Sequence, residues 1–194
     1  MDALDRWLKT HAPDLRRSFA DPIREDALRE AEQRIGRSLP PDYVAFLRRH
    51  DGQRLVQDSG DGAGSLAPIF QAFTLLSMSY AEAEWEAMRS WDANALPIES
   101  VGPVRPLHIH DAWFPITVVL GTSQHHCLDL DPAPEGSVGQ VIVVSRDDGL
   151  RRVVAPSFGA FVERLGTSLD RSVVGVTEAG IELADDVLGW LLGC

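Results

Sequence analysis

The apolar residues change their period partway along the chain, and no other feature narrows the fold as far. Ile23, Ala27, Leu28, Ala31 and Ile35 recur at helical spacing, and Tyr43, Phe46, Leu47 and His50 fall at i, i+3, i+4 and i+7. From residue 114 onward, the runs 114–120, 126–130, 140–145 and 152–155 are β-branched or apolar. They are separated by Gly121-Thr122, by Pro132-Ala133-Pro134-Glu135-Gly136 and by Asp147-Asp148-Gly149, all of which is turn chemistry. Helices first, strands in the middle and a helix again predict an α+β domain with an antiparallel or mixed sheet. No segment repeats internally.

Punctuation residues set the expected element ends. Pro13 limits a short helix over residues 4–15. A second helix follows Asp21-Pro22, with Asp21 as cap and Pro22 in its first turn, and Gly36 ends it. Leu39-Pro40-Pro41-Asp42 turns the chain into the Tyr43 helix, which is expected to stop near Asp51-Gly52. Residues 58–65 carry no large apolar side chain and read as a mobile surface loop, lacking the ligand alternation and distal glutamate of a calcium loop. Runs 66–70 and 73–76 read as strands, and Ser79-Tyr80-Ala81-Glu82 as a capping box for a helix through about Trp91. Pro97, Pro103 and Pro106 mark the crossing that follows. Ser157 is placed to cap a helix with Phe158, Phe161, Val162 and Leu165 on one face and Gly166 just beyond its end.

With 194 residues, 44% of them hydrophobic and 24% charged, the chain suits one sizeable core and needs no covalent staple. Two cysteines, Cys127 and Cys194, are too few for a disulfide framework. The charged opening residues lack the apolar core of a signal peptide, and no apolar run approaches the ~20 residues that span a bilayer. A cytoplasmic protein is therefore expected. The formal charge of -11 is uneven: residues 1–50 hold nine acids against ten bases, so the excess belongs to residues 51–194. Such a surface repels nucleic acid and anionic membranes and favours basic partners.

Residues 27–53 run through an acidic helix ending in Gly36, the Leu39-Pro40 corner, Tyr43-Val44-Ala45-Phe46-Leu47 and the closing Asp51-Gly52. This order of elements resembles the opening of the SMI1/KNR4 family, also called the SUKH superfamily. Further matches are Trp113-Phe114-Pro115-Ile116, Gly121, the strand and turn over residues 128–142, and the Ser157-Phe158 helix. The resemblance covers about residues 25–165 of a single domain spanning 1–194, leaving 166–194 as a C-terminal extension. Residues 185–192 of that extension read as a helix, packed on the domain or used in self-association. The resemblance implies a small α+β binding domain without catalytic residues or a cofactor. Many bacterial members resemble immunity proteins that neutralise toxins delivered between cells, and fungal relatives resemble scaffolds in cell-wall signalling.

The residues of metal-ligand and nucleophile type point the same way. His108, His110, Asp111, His125, His126, Cys127, Asp129 and Asp131 are metal-ligand types, but their spacing fits no metal motif. On a strand, His108 and His110 would share a face, and Cys127 is read as facing away from both His125 and His126, which argues against a nucleophile–base dyad. Acidic and aromatic side chains flank the expected sheet at Asp111, Trp113, Asp129, Asp131 and Glu135, with Trp113 as an anchor inside an acidic rim. These five are the candidate partner-binding residues. The leading expectation is an immunity protein that binds a basic cognate toxin, with a regulatory scaffold as the alternative.

Overall fold

A computed structural model describes residues 2–57, 64–66, 69–91, 97–147, 149–177 and 180–192. In chain order the elements are α1 (Asp2–His11), α2 (Pro13–Arg16), α3 (Glu25–Ile35), α4 (Pro41–Leu47), β1 (Leu55–Gln57), β2 (Gly64–Leu66), β3 (Phe73–Leu75) and α5 (Met78–Arg89), then β4 (Glu99–Val101), β5 (Trp113–Val119), β6 (Gln124–Asp129), β7 (Gln140–Ser145), β8 (Leu150–Ala155), α6 (Phe158–Ser172), β9 (Val173–Thr177), β10 (Gly180–Leu183) and α7 (Asp185–Leu192). The expected α+β class and the mixed sheet are present.

Six strands form the main sheet in the order β3-β5-β6-β7-β8-β4, antiparallel except where β4 joins β8 in parallel. Every residue of β6 and β7 is buried, because both faces of the sheet are covered. One face carries Phe114, Ile116, Leu128, Val141 and Val143 into the large core with α1, α4 and α6. The other carries Trp113, Cys127, Ile142 and Val144 into a smaller core with Met88 and Val104. Strands buried on both faces read as continuous apolar runs, as residues 141–144 of β7 do, whereas β6 buries Gln124, His125, His126 and Asp129 as well. Pro115 sits in an interior strand, where it cannot donate to the ladder, and the register of β5 against β6 slips between Pro115 and Thr117 to accommodate it.

Several element ends differ from expectation. The chain over residues 19–23 runs beside residues 47–54: Ala20 N–H donates to Gly52 O at 2.9 Å, Ile23 N–H to Leu47 O at 2.9 Å and Arg54 N–H to Ser18 O at 2.7 Å. That pairing holds Pro22 and Ile23 extended, so α3 begins at Glu25 and Asp21 pairs with Arg54 instead of capping a helix. Gly36, at φ 70°, does close α3. The Tyr43 helix ends at Leu47, and the positive φ of Gly52 serves a close approach to the backbone of Leu76. Helix α5 begins one residue before the expected box, at Met78, whose N–H donates to Asp51 Oδ1 at 2.7 Å. The expected loop at 58–65 falls largely outside the described residues, and Gly64-Ser65 pair with β1 as part of β2.

The C-terminal third departs most. Helix α6 continues through Gly166 to Ser172, and the glycine is there because α1 crosses at that point: a Cβ on Gly166 would stand 2.5 Å from Leu4 N. Beyond it, β9 and β10 make a separate two-stranded hairpin, and α7 packs back on the domain. Trp190 Nε1–H donates to Val154 O at 2.9 Å, and the Arg164 guanidinium lies 4.1 Å from the Trp190 ring centroid. Among the described residues no helix is long and apolar enough to cross a membrane.

Candidate functional site

The five sequence-predicted residues come together at one end of β5 and β6, where the segment 102–112 crosses the sheet, but they do not all face outward. Trp113 opens β5 and is fully buried, under the His110 ring at 5.9 Å and within 5.7 Å of the Arg151 guanidinium. It is a core residue of the smaller cluster and is not the surface anchor that was expected. Asp129 ends β6 and is also buried, because its strand is covered on both sides. Gln140 Nε2–H donates to Asp129 Oδ2 at 3.0 Å and Asp131 N–H to Asp129 Oδ1 at 3.2 Å. Burial outweighs these donors and pushes the Asp129 carboxyl above the usual carboxylate range.

Asp131, two residues on, has the opposite environment. His110 Nε2 lies 3.0 Å from Asp131 Oδ2 and Arg105 Nη2 3.1 Å from Oδ1. Those partners, His110 first, hold the Asp131 carboxyl below its ordinary range. Asp111 is exposed and paired with Arg89 at 3.0 Å, while its carbonyl accepts from Trp85 Nε1–H at 3.0 Å. Glu135 is exposed at φ 73° in the turn that follows β6. The outward rim is therefore Asp111, Asp131 and Glu135, with two of its three charges already opposed by arginines of the same chain.

Sequence reasoning missed the apolar part of this surface. Val138 lies in the same turn as Glu135 and is 68% exposed, and Leu107 of the crossing segment is 42% exposed. The signal was available in Ser137-Val138-Gly139, a β-branched residue between two turn formers with no apolar neighbour for it to join.

The groups suspected of chemistry have structural partners. His126, fully buried on β6, has Nδ1 2.6 Å from Thr117 Oγ1 and Nε2 2.7 Å from Leu191 O. His125 Nε2 meets Glu84 at 3.0 Å. Cys127 faces the smaller core, where burial raises its thiol well above the ordinary range. The two-residue period of β6 puts His125 on the Cys127 side, so the expected separation holds for His126 alone. His108 and His110 lie in the irregular crossing segment, not on a strand. Among the described residues no three His, Cys, Asp or Glu side chains converge closely enough to hold a metal ion.

Comparison with known proteins gives relatives along most of the chain. It is 25% identical over 202 residues to the cell wall assembly regulator SMI1 of Saccharomyces cerevisiae, covering 86% of this chain and 39% of that protein. A Neurospora crassa glucan synthesis regulatory protein is 26% identical over 200 residues, covering 87% of this chain and 37% of that one. Human F-box only protein 3 is 32% identical over 80 residues, or 41% of this chain. The chain spans less than two fifths of the length of the two fungal proteins, which are named as regulators and not as enzymes. The model of the SMI1/KNR4 family (SUKH-1) matches residues 22–164, from the chain pairing before α3 to the middle of α6, and this chain belongs to that family.

Proposed function

We propose that this chain is a non-catalytic protein-binding module of the regulatory, scaffold type, and that it docks a basic partner on the rim formed by Asp111, Asp131, Glu135 and Val138. The observation that carries the reading is the pairing of regulator-named relatives with a site whose reactive groups, His126, Cys127 and Asp129, are interior and structurally engaged. What remains exposed at that end is an acidic rim beside an isolated valine and leucine, a combination that steers a cationic partner and offers apolar area on contact. The buried free thiol of Cys127 suits a reducing, cytoplasmic setting.

The immunity reading requires a similar surface, and none of the relatives described above carries a toxin-related name; it stands second for that reason. Affinity capture with the parent chain and with a Glu135→Lys/Val138→Asp variant, followed by reconstitution with the purified partner, tests the proposal. The variant is expected to lose the partner while keeping its melting temperature, and equal capture by both chains would defeat the rim. Protection against a co-expressed toxin would move the immunity reading to first place.

A further inference from the structure

A cluster of positive side chains in this acidic protein lies away from the rim. Arg16, Arg17, Arg49, His50 and Arg54 line an open cleft of about 420 Å³ together with Phe19, Ala20, Asp21 and Pro22. Of the lining residues four are guanidiniums, one an imidazole and one an acid, with Asp5 and Asp14 pairing from just outside, in a chain whose formal charge is -11.

The cleft is built where two chain segments are laced together. Phe19 bridges Gln53 in antiparallel fashion, flanked by the Ala20–Gly52 and Arg54–Ser18 hydrogen bonds, so Arg16 and Arg17 are held at a fixed separation from Arg49 and Arg54. His50 is stacked on Phe19 at 4.6 Å between centroids, which fixes the imidazole at the cleft wall. Such a frame removes part of the ordering cost of binding. Arg16 and Arg17 also precede the family-matched segment, which begins at residue 22, so the site joins the family domain to this chain's own N-terminal helices.

The acids that now pair with these arginines are easily exchanged. Arg17 is bonded to Asp14 at 2.7 Å, with side chains 79% and 85% exposed, and Arg54 to Asp21 at 2.9 Å, with 53% and 90% exposed. Pairs this wet contribute little and can be replaced by an incoming carboxylate. Arg16 is more firmly held, bonded to Asp5 at 2.8 Å.

We infer that this cleft binds a short acidic peptide segment of a partner protein, its carboxylates received by Arg17 and Arg54 across the Phe19–His50 platform. Guanidinium forks match carboxylate geometry. The charge excess elsewhere on the chain repels an extended polyanion such as nucleic acid, and a segment no longer than the cleft avoids it. This goes beyond the rim proposal, which concerns a partner of opposite charge at other residues.

Fluorescence anisotropy with the full chain and a labelled four-residue Asp/Glu peptide tests it at low salt. The peptide should bind at least tenfold tighter than its Asn/Gln counterpart, shift the ring resonances of His50, and lose affinity as salt rises. Arg17→Gln/Arg54→Gln should weaken it at least tenfold with an unchanged melting temperature, whereas Arg29→Gln/Arg171→Gln, which removes the same charge from other exposed positions, should not. Equal binding of the neutral peptide, or equal loss in both double variants, overturns the cleft. Binding of inorganic phosphate without binding of the peptide overturns the assignment to a peptide. Neither outcome bears on Glu135 and Val138, so the two proposals fail separately.

Discussion

His126 Nε2 and the carbonyl oxygen of Leu191 stand 2.7 Å apart, tying the central strand β6 to the last helix α7 across the full-length core. The carbonyl can only accept, so Nε2 carries the proton; Nδ1 is then left to accept from the Thr117 hydroxyl. The ring is packed between Phe73 and Phe161, and burial lowers its pKa from 6.5 to about 4. Protonation is thus favoured by the unfolded chain. Stability contributed by the neutral ring is fully present above pH 6.5 and is lost progressively as pH falls toward about 4. The loss from this one group is roughly 3 kcal/mol, since each pKa unit is worth about 1.4 kcal/mol. Raised carboxyls such as Asp129 act in the opposite sense at the lower end. Denaturant melts of parent and His126→Gln across pH 4–7 isolate the share, and parallel slopes in that window would refute it.

Gly166 should resist alanine despite the helical propensity that favours the change elsewhere. Alanine normally stabilises a helix interior by about 1 kcal/mol over glycine. Here the new Cβ would meet Leu4 N at 2.5 Å and Ala3 C at 3.0 Å, which are backbone atoms of α1 that cannot rotate away. Gly166→Ala is expected to destabilise by about 1–3 kcal/mol as α1 is displaced from α6. Thermal unfolding measures it, and a raised melting temperature would mean that α1 does not cross there.

This glycine also marks where sequence reading stops. As a sequence it reads as the end of the Ser157 helix, because glycine after an apolar stripe is the usual C-terminal signal; its role against α1 depends on a contact 162 positions away. Strands β5 and β7 were legible because burial on both faces leaves nearly uninterrupted apolar runs, and Gly36 was legible because its φ serves a local purpose. Pro22 misled for the converse reason, since the pairing of residues 19–23 with 47–54 overrides a local helix-start signal. At the candidate site, sequence placed the five residues near one end of the sheet but did not give the direction of their side chains. Trp113 and Asp129 adjoin turns, yet the crossing segment 102–112 covers them, and nothing local in Trp113-Phe114-Pro115 announces that cover.

Asp51 should behave as a helix cap supplied from outside the helix. Its Oδ1 accepts from Met78 N–H, and the N-cap residue Ser77 makes no such bond. Asp51→Ala is expected to cost about 0.5–2 kcal/mol, with Asp51→Asn close to the parent because it keeps the acceptor oxygen. Equal losses in the two variants by chemical denaturation would assign the effect to charge instead of the cap.

Trp113 separates a core from a contact role. The indole is fully buried among Cys127, Ile142 and Val144, so Trp113→Ala removes the bulkiest side chain of the smaller core. A loss of about 3–5 kcal/mol is expected. Nε1 is buried without a hydrogen-bond partner among the described residues, and an unsatisfied donor of this kind carries a cost of about 1–3 kcal/mol. Trp113→Phe deletes that donor along with part of the ring, so its two effects oppose one another and it should retain most of the stability that alanine loses. Partner binding should follow the fraction folded in both variants, with no separate defect. The decisive measurement pairs denaturant midpoints with affinity for the captured partner: an alanine variant that melts like the parent and binds at least tenfold more weakly would return Trp113 to the surface and remove it from the core.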